Sequence, residues 1–204
     1  MTNDVPDYGY ENVKCWSDYL WPTVKEAIER HSFKERKAFD LGCGNGSISN
    51  LLSGLGFRVI GVDPSESGVK VASASFPNLE FHKGSAYDDL AARYGRFSLV
   101  VSLEVVEHCY EPRKFAHTLY DLVEDDGMAV VSTPYHGYVK NLAIALAGKW
   151  DDHLSPLWDG GHIKFFSIRT LRTLLTESGF KDVRFVLVGR IPPLAKSMIA
   201  VVRK

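Results

Sequence analysis

The sequence predicts an α/β fold built on a doubly wound, mostly parallel sheet. Three observations predict it. Strand-like apolar runs alternate with helical patterns through residue 133. A glycine-rich turn, AFDLGCGNG at 38–46, follows directly on the first of those runs. Two more strand-like segments end the chain with only a short RIPPLA stretch between them, and strands joined so tightly must be antiparallel. Alternation of this kind argues for βαβ units with helices on both faces of the sheet.

In order, KAFDL (37–41) is the first strand, and the glycine turn leads into an amphipathic helix around 46–55. RVIGVD (58–63) is the second strand, followed by the helical PSESGVKVASASF. LEFHKG (79–84) is the third, with a short helix in AYDDLAARYG after it. FSLVVSL (97–103) is nearly all apolar, as a strand buried on both faces should be. EPRKFAHTLYDLV (111–123) reads as a helix with Pro112 in its first turn, and GMAVVST (127–133) as the fifth strand. Residues 134–165 break the rhythm; they read as irregular, aromatic and glycine-rich, too long for a routine connection, and hence as a lid. SIRTLRTLLTESGF (167–180) is a helix, and DVRFVLVG and SMIAVVRK complete a count of seven strands, one of them antiparallel. Upstream, WSDYLWPTVKEAIERH (16–31) has a helical pattern. The organisation expected is one domain over 1–204, with a helical cover in 1–35 and the lid inserted at 134–165.

Bulk properties are those of an ordinary globular chain: 204 residues, 45% apolar, 24% charged and a net charge of −1. That balance supplies no basic face for duplex nucleic acid. Cys15, Cys43 and Cys109 are odd in number and widely spaced, which suits a reducing compartment. The opening MTNDVPDYGYENVK has neither a basic nor an apolar leader region, and the longest apolar run, LAIALAG at 142–148, is far short of a membrane span. A cytoplasmic location is expected.

In an open parallel sheet, ligands sit beyond the carboxyl ends of the strands near the switch in strand order. Gly42, Gly44 and Gly46 lie there and allow close backbone approach. Their G-x-G-x-G spacing differs from the G-x-G-x-x-G of nicotinamide enzymes. Asp63, at the end of the second strand, can accept both hydroxyls of a ribose, or cap the next helix. Gly84-Ser85-Ala86 supplies a third wall.

With FDLGCGNG (39–46), VIGVDPSE (59–66), FHKGSAYD (81–88) and FSLVVSLEVVEH (97–108) in this order, the chain resembles the class I S-adenosylmethionine-dependent methyltransferases from about residue 35 to 204. The resemblance implies a Rossmann-like seven-stranded sheet. It implies that Asp40 and the Gly42, Gly44, Gly46 turn hold the methionine part of S-adenosylmethionine, that Asp63 binds the ribose, and that Ser85 and Ala86 flank the adenine, with Leu103 also against the cofactor. Ser85 stands where that family often has aspartate.

LEVVEHCYEP follows the fourth strand. If a helical turn starts there, Glu104, Glu107 and His108 fall at i, i+3 and i+4 on one face. Two carboxylates and an imidazole in that arrangement suit a divalent cation, which would lower the pKa of an acceptor oxygen. A metal-free general base at His108, or acids simply placed at a helix N-terminus, are the other readings. The segment is similar to the E-x-x-E-H of the ubiquinone-biosynthesis O-methyltransferases, which also carry an apolar insertion and a G-x-H, here LAIALAGKW and Gly160-Gly161-His162. It is similar too to small-RNA 2′-O-methyltransferases, in which a later histidine joins the metal. By those resemblances His162 is a further ligand or base, the cation Mg or Zn, and 142–150 either a lid helix or a contact with a membrane surface. Asp151, Asp152, His153 and Asp159 of the lid are unranked, and Trp150, Trp158, Phe165 and Phe166 either pack the lid or stack an aromatic acceptor.

The function expected is methylation of a small-molecule hydroxyl of phenol or catechol type. The alternatives are RNA 2′-O-methylation, disfavoured by the charge balance, and a non-catalytic module that binds the cofactor without consuming it.

Overall fold

A computed structural model of the chain describes residues 9, 10, 12 and 18–204. Cys15 and the first two residues of the expected 16–31 helix fall outside them. The sheet has seven strands: β1 (Lys37–Leu41), β2 (Arg58–Asp63), β3 (Glu80–Lys83), β4 (Phe97–Leu103), β5 (Val123–Pro134), β6 (Lys181–Val188) and β7 (Ser197–Arg203). Their order is β3-β2-β1-β4-β5-β7-β6, and only β7 runs antiparallel to its neighbours. The chain builds outward from β1 to β3, then returns to the other side of β1 with β4. The switch in strand order therefore lies between β1 and β4.

Alternation along the strands sends side chains to two cores. Val100 of β4 faces a core shared with Phe39 and Leu41. That face is covered by α4 (Leu90–Tyr94), α5 (Pro112–Leu122) and α8 (Ile168–Glu177), through Leu90, Phe115, Leu119, Leu171 and Leu175 among others. Leu99 and Val101 point the other way, against α1 (Trp21–Glu29) and α2 (Ser47–Gly54). Every residue of β4 is buried, as its unbroken apolar run requires. α3 (Glu66–Ser75) packs Ala72 on Phe81 at the β3 edge.

Several boundaries move from the sequence expectation. α1 starts at Trp21, with Pro22 fixing its first turn. β5 starts at Val123, directly after α5, because Val123 already pairs with Phe97 on β4. The 134–165 segment is not irregular throughout. It holds α6 (Tyr138–Leu146) and α7 (Trp150–Leu154), as its alanine and leucine content favours, and Gly148 in the left-handed region follows the first of them. No helix among the described residues is long and apolar enough to cross a membrane.

Candidate functional site

A cavity of about 640 Å³ opens at the β1–β4 switch point. Its floor is the turn after β1. Gly42, Gly44 and Gly46 all take positive φ, at 85°, 48° and 79°. The turn is tied down from below: the amides of Gly42 and Cys43 donate to the Val62 carbonyl at 2.8 and 3.1 Å, and the Ser102 hydroxyl donates to the Leu41 carbonyl at 2.7 Å. Glycine is required for packing as well as for φ. A Cβ on Gly46 would sit 2.8 Å from both Ala72 Cβ and Phe81 Cζ.

Asp63 lines the cavity at the end of β2 and is 6% exposed. Its Oδ2 accepts from the Gly44 amide and its Oδ1 from the Ser65 amide, both at 2.8 Å. The cap of α3 is Ser65, whose hydroxyl accepts from the Gly68 amide, so the helix-cap alternative for Asp63 does not hold. Ser85, Ala86 and Leu103 also line the cavity. The Ser85 hydroxyl accepts from the Tyr87 amide at 3.2 Å, a local turn contact. Asp40 is placed differently from the other expected residues. It lies behind the turn, 2% exposed and outside the lining, and accepts a 2.6 Å hydrogen bond from Ser49 of α2. Burial pushes its carboxyl up to about 7. It supports the turn; it does not face the cavity.

Glu104 follows β4 in the left-handed region, at φ 56°, and only Val106–His108 form a turn of 3-10 helix. The expected i, i+3, i+4 face is therefore not built. The Glu104 carboxylate is turned back onto the sheet, accepting from Ser132 of β5 at 2.8 Å and Ser197 of β7 at 3.2 Å. The Tyr19 hydroxyl is 2.7 Å from Ser197. Burial raises the Glu104 carboxyl to about 6 and the Tyr19 phenol to about 12.

Glu107, His108 and His162 do come together: one donor atom from each lies within 4.8 Å of the other two. Glu104 is not of this group. Glu107 is 0% exposed and neither of its carboxylate oxygens makes a well-formed hydrogen bond, although the buried Thr133 hydroxyl lies beside them. Burial and the charge of Glu104 hold its carboxyl well above the ordinary 4.5. His162 Nε2 stands 4.0 Å from Glu107 Oε1. His108 Nδ1 lies 2.8 Å from the Gly160 carbonyl, which can only accept, so Nδ1 carries the proton and Nε2 the lone pair. Burial lowers both imidazoles, His162 to about 4, so they are neutral near pH 7. The lid closes over this turn: the amides of Ile163 and Lys164 both donate to the Glu107 carbonyl, at 2.9 and 3.0 Å.

Trp158 lines the cavity half-exposed, with its ring against His108 and His162. Of the other lid candidates, Phe166 is buried in the core while Trp150 is exposed. Tyr10, Asn12 and Tyr19 also line the cavity, and no motif in the sequence singled them out. Asn12 accepts from the Asn45 side chain at 2.9 Å, and the Tyr10 amide donates to Ser67 at 3.2 Å, so this segment lies across the glycine turn.

Residues 18–184 match the model of a methyltransferase domain family. Curated relatives include a ubiquinone biosynthesis O-methyltransferase of Azorhizobium caulinodans, 30% identical over 78% of this chain and 67% of that protein. Another of the same description from Cereibacter sphaeroides is 28% identical over 83% and 72%. Among solved structures, magnesium protoporphyrin IX methyltransferase from Synechocystis, with bound S-adenosylhomocysteine, superposes with a TM-score of 0.69 at 20% identity, covering 91% of this chain and 82% of that one. A methyltransferase from Archaeoglobus fulgidus gives 0.68 at 17% identity, covering 90% and 92%.

Proposed function

The chain belongs to the methyltransferase domain family, and from that premise we propose that this S-adenosylmethionine-dependent enzyme methylates a hydroxyl of a small-molecule acceptor, with a divalent cation at Glu107, His108 and His162. The observation that carries the reading is the Glu107 carboxylate. It is wholly buried behind the cavity wall without a well-formed hydrogen bond, beside the two neutral imidazoles that do line the cavity. Buried carboxylates are paired or bind metals, and a donor set of one oxygen and two nitrogens suits Mg or Zn only with further ligands from water or the acceptor. With a folded value near 4, His162 is a weak base at neutral pH, which favours ligation over proton abstraction.

For the cofactor, the positive-φ glycines leave bare backbone beside Asp63, a carboxylate fixed by the Gly44 and Ser65 amides and placed in the lining where it would bind the ribose. Ser85 and Ala86 would flank the adenine and Leu103 the sulfonium side, while Asp40 acts from behind by fixing α2 against the turn. The cofactor supplies an activated methyl group, and the cation would lower the pKa of an acceptor hydroxyl. The residues do the rest. Trp158 and the lid hold the acceptor in line and exclude water, and Gly160 keeps His108 in the tautomer that presents Nε2.

The test is methyl transfer from S-adenosylmethionine to catechol-type acceptors, with and without chelator, in the native protein and Glu107→Ala. Turnover that depends on cation and on Glu107 supports the reading. Turnover indifferent to both removes the metal, and binding without turnover on any acceptor removes the enzyme assignment.

The outer face of α6 exposes Tyr138, Val139, Leu142 and Leu146, and its one buried residue is Lys140, so the helix does not pack its apolar residues on the body. Contact with a membrane surface through 142–150 would account for that. Sedimentation with phospholipid vesicles tests it, since Leu146→Glu should release the protein if the contact exists.

A further inference from the structure

Beneath the lid, beside the Glu107–His108–His162 group but apart from it, lies a second cluster for which methyl transfer has no use. His136 follows β5, Lys140 and Asn141 sit in the first turn of α6, His153 lies on α7, and Arg190 lies two residues past β6. The rings of His136 and His153 are 5.5 Å apart, and Phe165 closes the far side of His136 edge-on at 5.0 Å.

Lys140 is the least expected member, a lysine 6% exposed on a helix that is otherwise turned outward. Its Nζ donates to the carbonyls of Tyr135 and Lys196, at 2.9 and 3.3 Å. Those oxygens solvate the ammonium but bring no charge to balance it. Burial, and then the charge of Arg190, lower it to about 8, and Arg190 and Lys140 both act on His153. Among the described residues no carboxylate forms an ion pair with His136, Lys140, His153 or Arg190. The one acid that acts on Lys140 is Glu104, whose oxygens are already engaged by Ser132 and Ser197.

One polar atom in the cluster is buried without any partner, His153 Nε2, while the buried Asn141 oxygen meets only the His136 ring. Buried polar groups are normally satisfied, and an orphan in a native site calls for an absent partner. A neutral His153 can donate Nε2–H, and Asn141, with its oxygen on the His136 side, keeps its amide N–H groups as donors. The cluster therefore offers cations and donors and lacks an anion. It also adjoins the reaction centre, since Phe165, whose ring meets His136 at 5.0 Å, lies three residues along the chain from His162, and His136 and His153 both act electrostatically on His162.

We propose that His136, Lys140, Asn141, His153 and Arg190 form a subsite for an anionic group, a carboxylate or a phosphate, carried by the methyl acceptor. The acceptor is then an acid that bears the hydroxyl to be methylated, held at one end by this cluster and at the other beside Glu107, His108 and His162. The inference rests on the reading of the cavity as a small-molecule hydroxyl methyltransferase site.

The experiment measures binding without turnover. Benzoate, phenyl phosphate and phenol are each titrated by calorimetry into the protein saturated with S-adenosylhomocysteine. At least one anion should bind about tenfold or more tightly than phenol, a preference that weakens with added salt. Tighter binding of benzoate assigns a carboxylate acceptor, and tighter binding of phenyl phosphate a phosphate. In the Arg190→Gln/His153→Asn double variant the preference should fall to about threefold or less, with melting temperatures confirming the fold. Lys140 is left in place because it is buried. Phenol binding as tightly as both anions, or a preference that survives the double substitution, would overturn the subsite. Failure of the methyl-transfer reading registers separately, as no methylation of any hydroxyl acceptor while the anion preference still stands.

Discussion

Glutamine at position 107 separates what the carboxylate does in the bare protein from what it does with a cation. Neither oxygen of Glu107 makes a well-formed hydrogen bond, and burial with the nearby Glu104 charge, outweighing the Thr133 hydroxyl beside it, raises its folded pKa well above 4.5. The native state then keeps a proton that the unfolded chain releases. A raised folded value contributes stability that is complete below about 4.5 and is lost as pH rises through the folded value. Glutamine cannot ionise. At about pH 8 in chelator, Glu107→Gln should thus be more stable than the native protein by roughly 1–3 kcal/mol, the cost of an unsatisfied buried group. For a chain of this length that is about 2–4 °C in melting temperature per kcal/mol. Near pH 4.5 the difference should close. Saturating cation should reverse the order, because at a hundredfold excess over Kd binding adds about 2.7 kcal/mol to the native protein alone. Calorimetric melts at both pH values, with and without cation, read all of this. A variant less stable than the native protein in chelator at the higher pH would refute the reasoning, since it would mean that the carboxylate is already paired.

Asp63→Ala should weaken S-adenosylhomocysteine binding by about 1–3 kcal/mol and also destabilise the fold, because the Gly44 and Ser65 amides lose their acceptor; titration and melting read the two effects apart. Gly46→Ala should cost about 1–3 kcal/mol in denaturant unfolding, since the new Cβ meets Ala72 and Phe81 at 2.8 Å. Cation affinity should rise with pH as Glu107 gives up its proton, with no contribution from His162 above about pH 5, because its folded value near 4 leaves it already neutral. Titrations in buffers of different ionisation enthalpy count that released proton. Trp158→Ala should raise the acceptor KM and leave S-adenosylhomocysteine affinity within about twofold, as its ring borders His108 and His162 at the lid.

The strands and the glycine turn were legible because their signals are local: unbroken apolar runs for strands buried on both faces, and glycines where positive φ and tight packing coincide. Distant contacts were not. Glu104 looked like a partner of Glu107 by helical spacing. Its left-handed backbone and the hydroxyls of Ser132 and Ser197, 28 and 93 residues away, took it elsewhere. Those serines carry a signal in hindsight, as polar residues in otherwise buried strands, but nothing in spacing pairs them with an acid on β4. Tyr10, Asn12 and Tyr19 reach the cavity by folding back across the turn, and a sequence pattern cannot register that. The 134–165 segment reads as irregular in the sequence yet holds two helices, because an exposed helix such as α6 lacks the one-sided burial that makes periodicity informative.

The end of β4 joins the two halves of the site. Leu103 lines the cavity, and one residue later the chain turns through a conformation that costs a non-glycine residue about 1–3 kcal/mol. The Glu104 amide donates to the Ser132 hydroxyl at 3.0 Å while its carboxylate accepts from Ser132 and Ser197, so contacts on β5 and β7 hold the strained residue in place. That turn brings His108 to the cavity wall and buries Glu107 behind it, and Gly160, Ile163 and Lys164 are bonded to this pair. In the proposed reading, the acceptor end would thereby be registered on the same strand that meets the cofactor, with the β5–β7 pairing fixing the distance between them. In-line transfer depends on that distance far more than on any single acid or base. A lid hinged on loops alone would leave it free to vary.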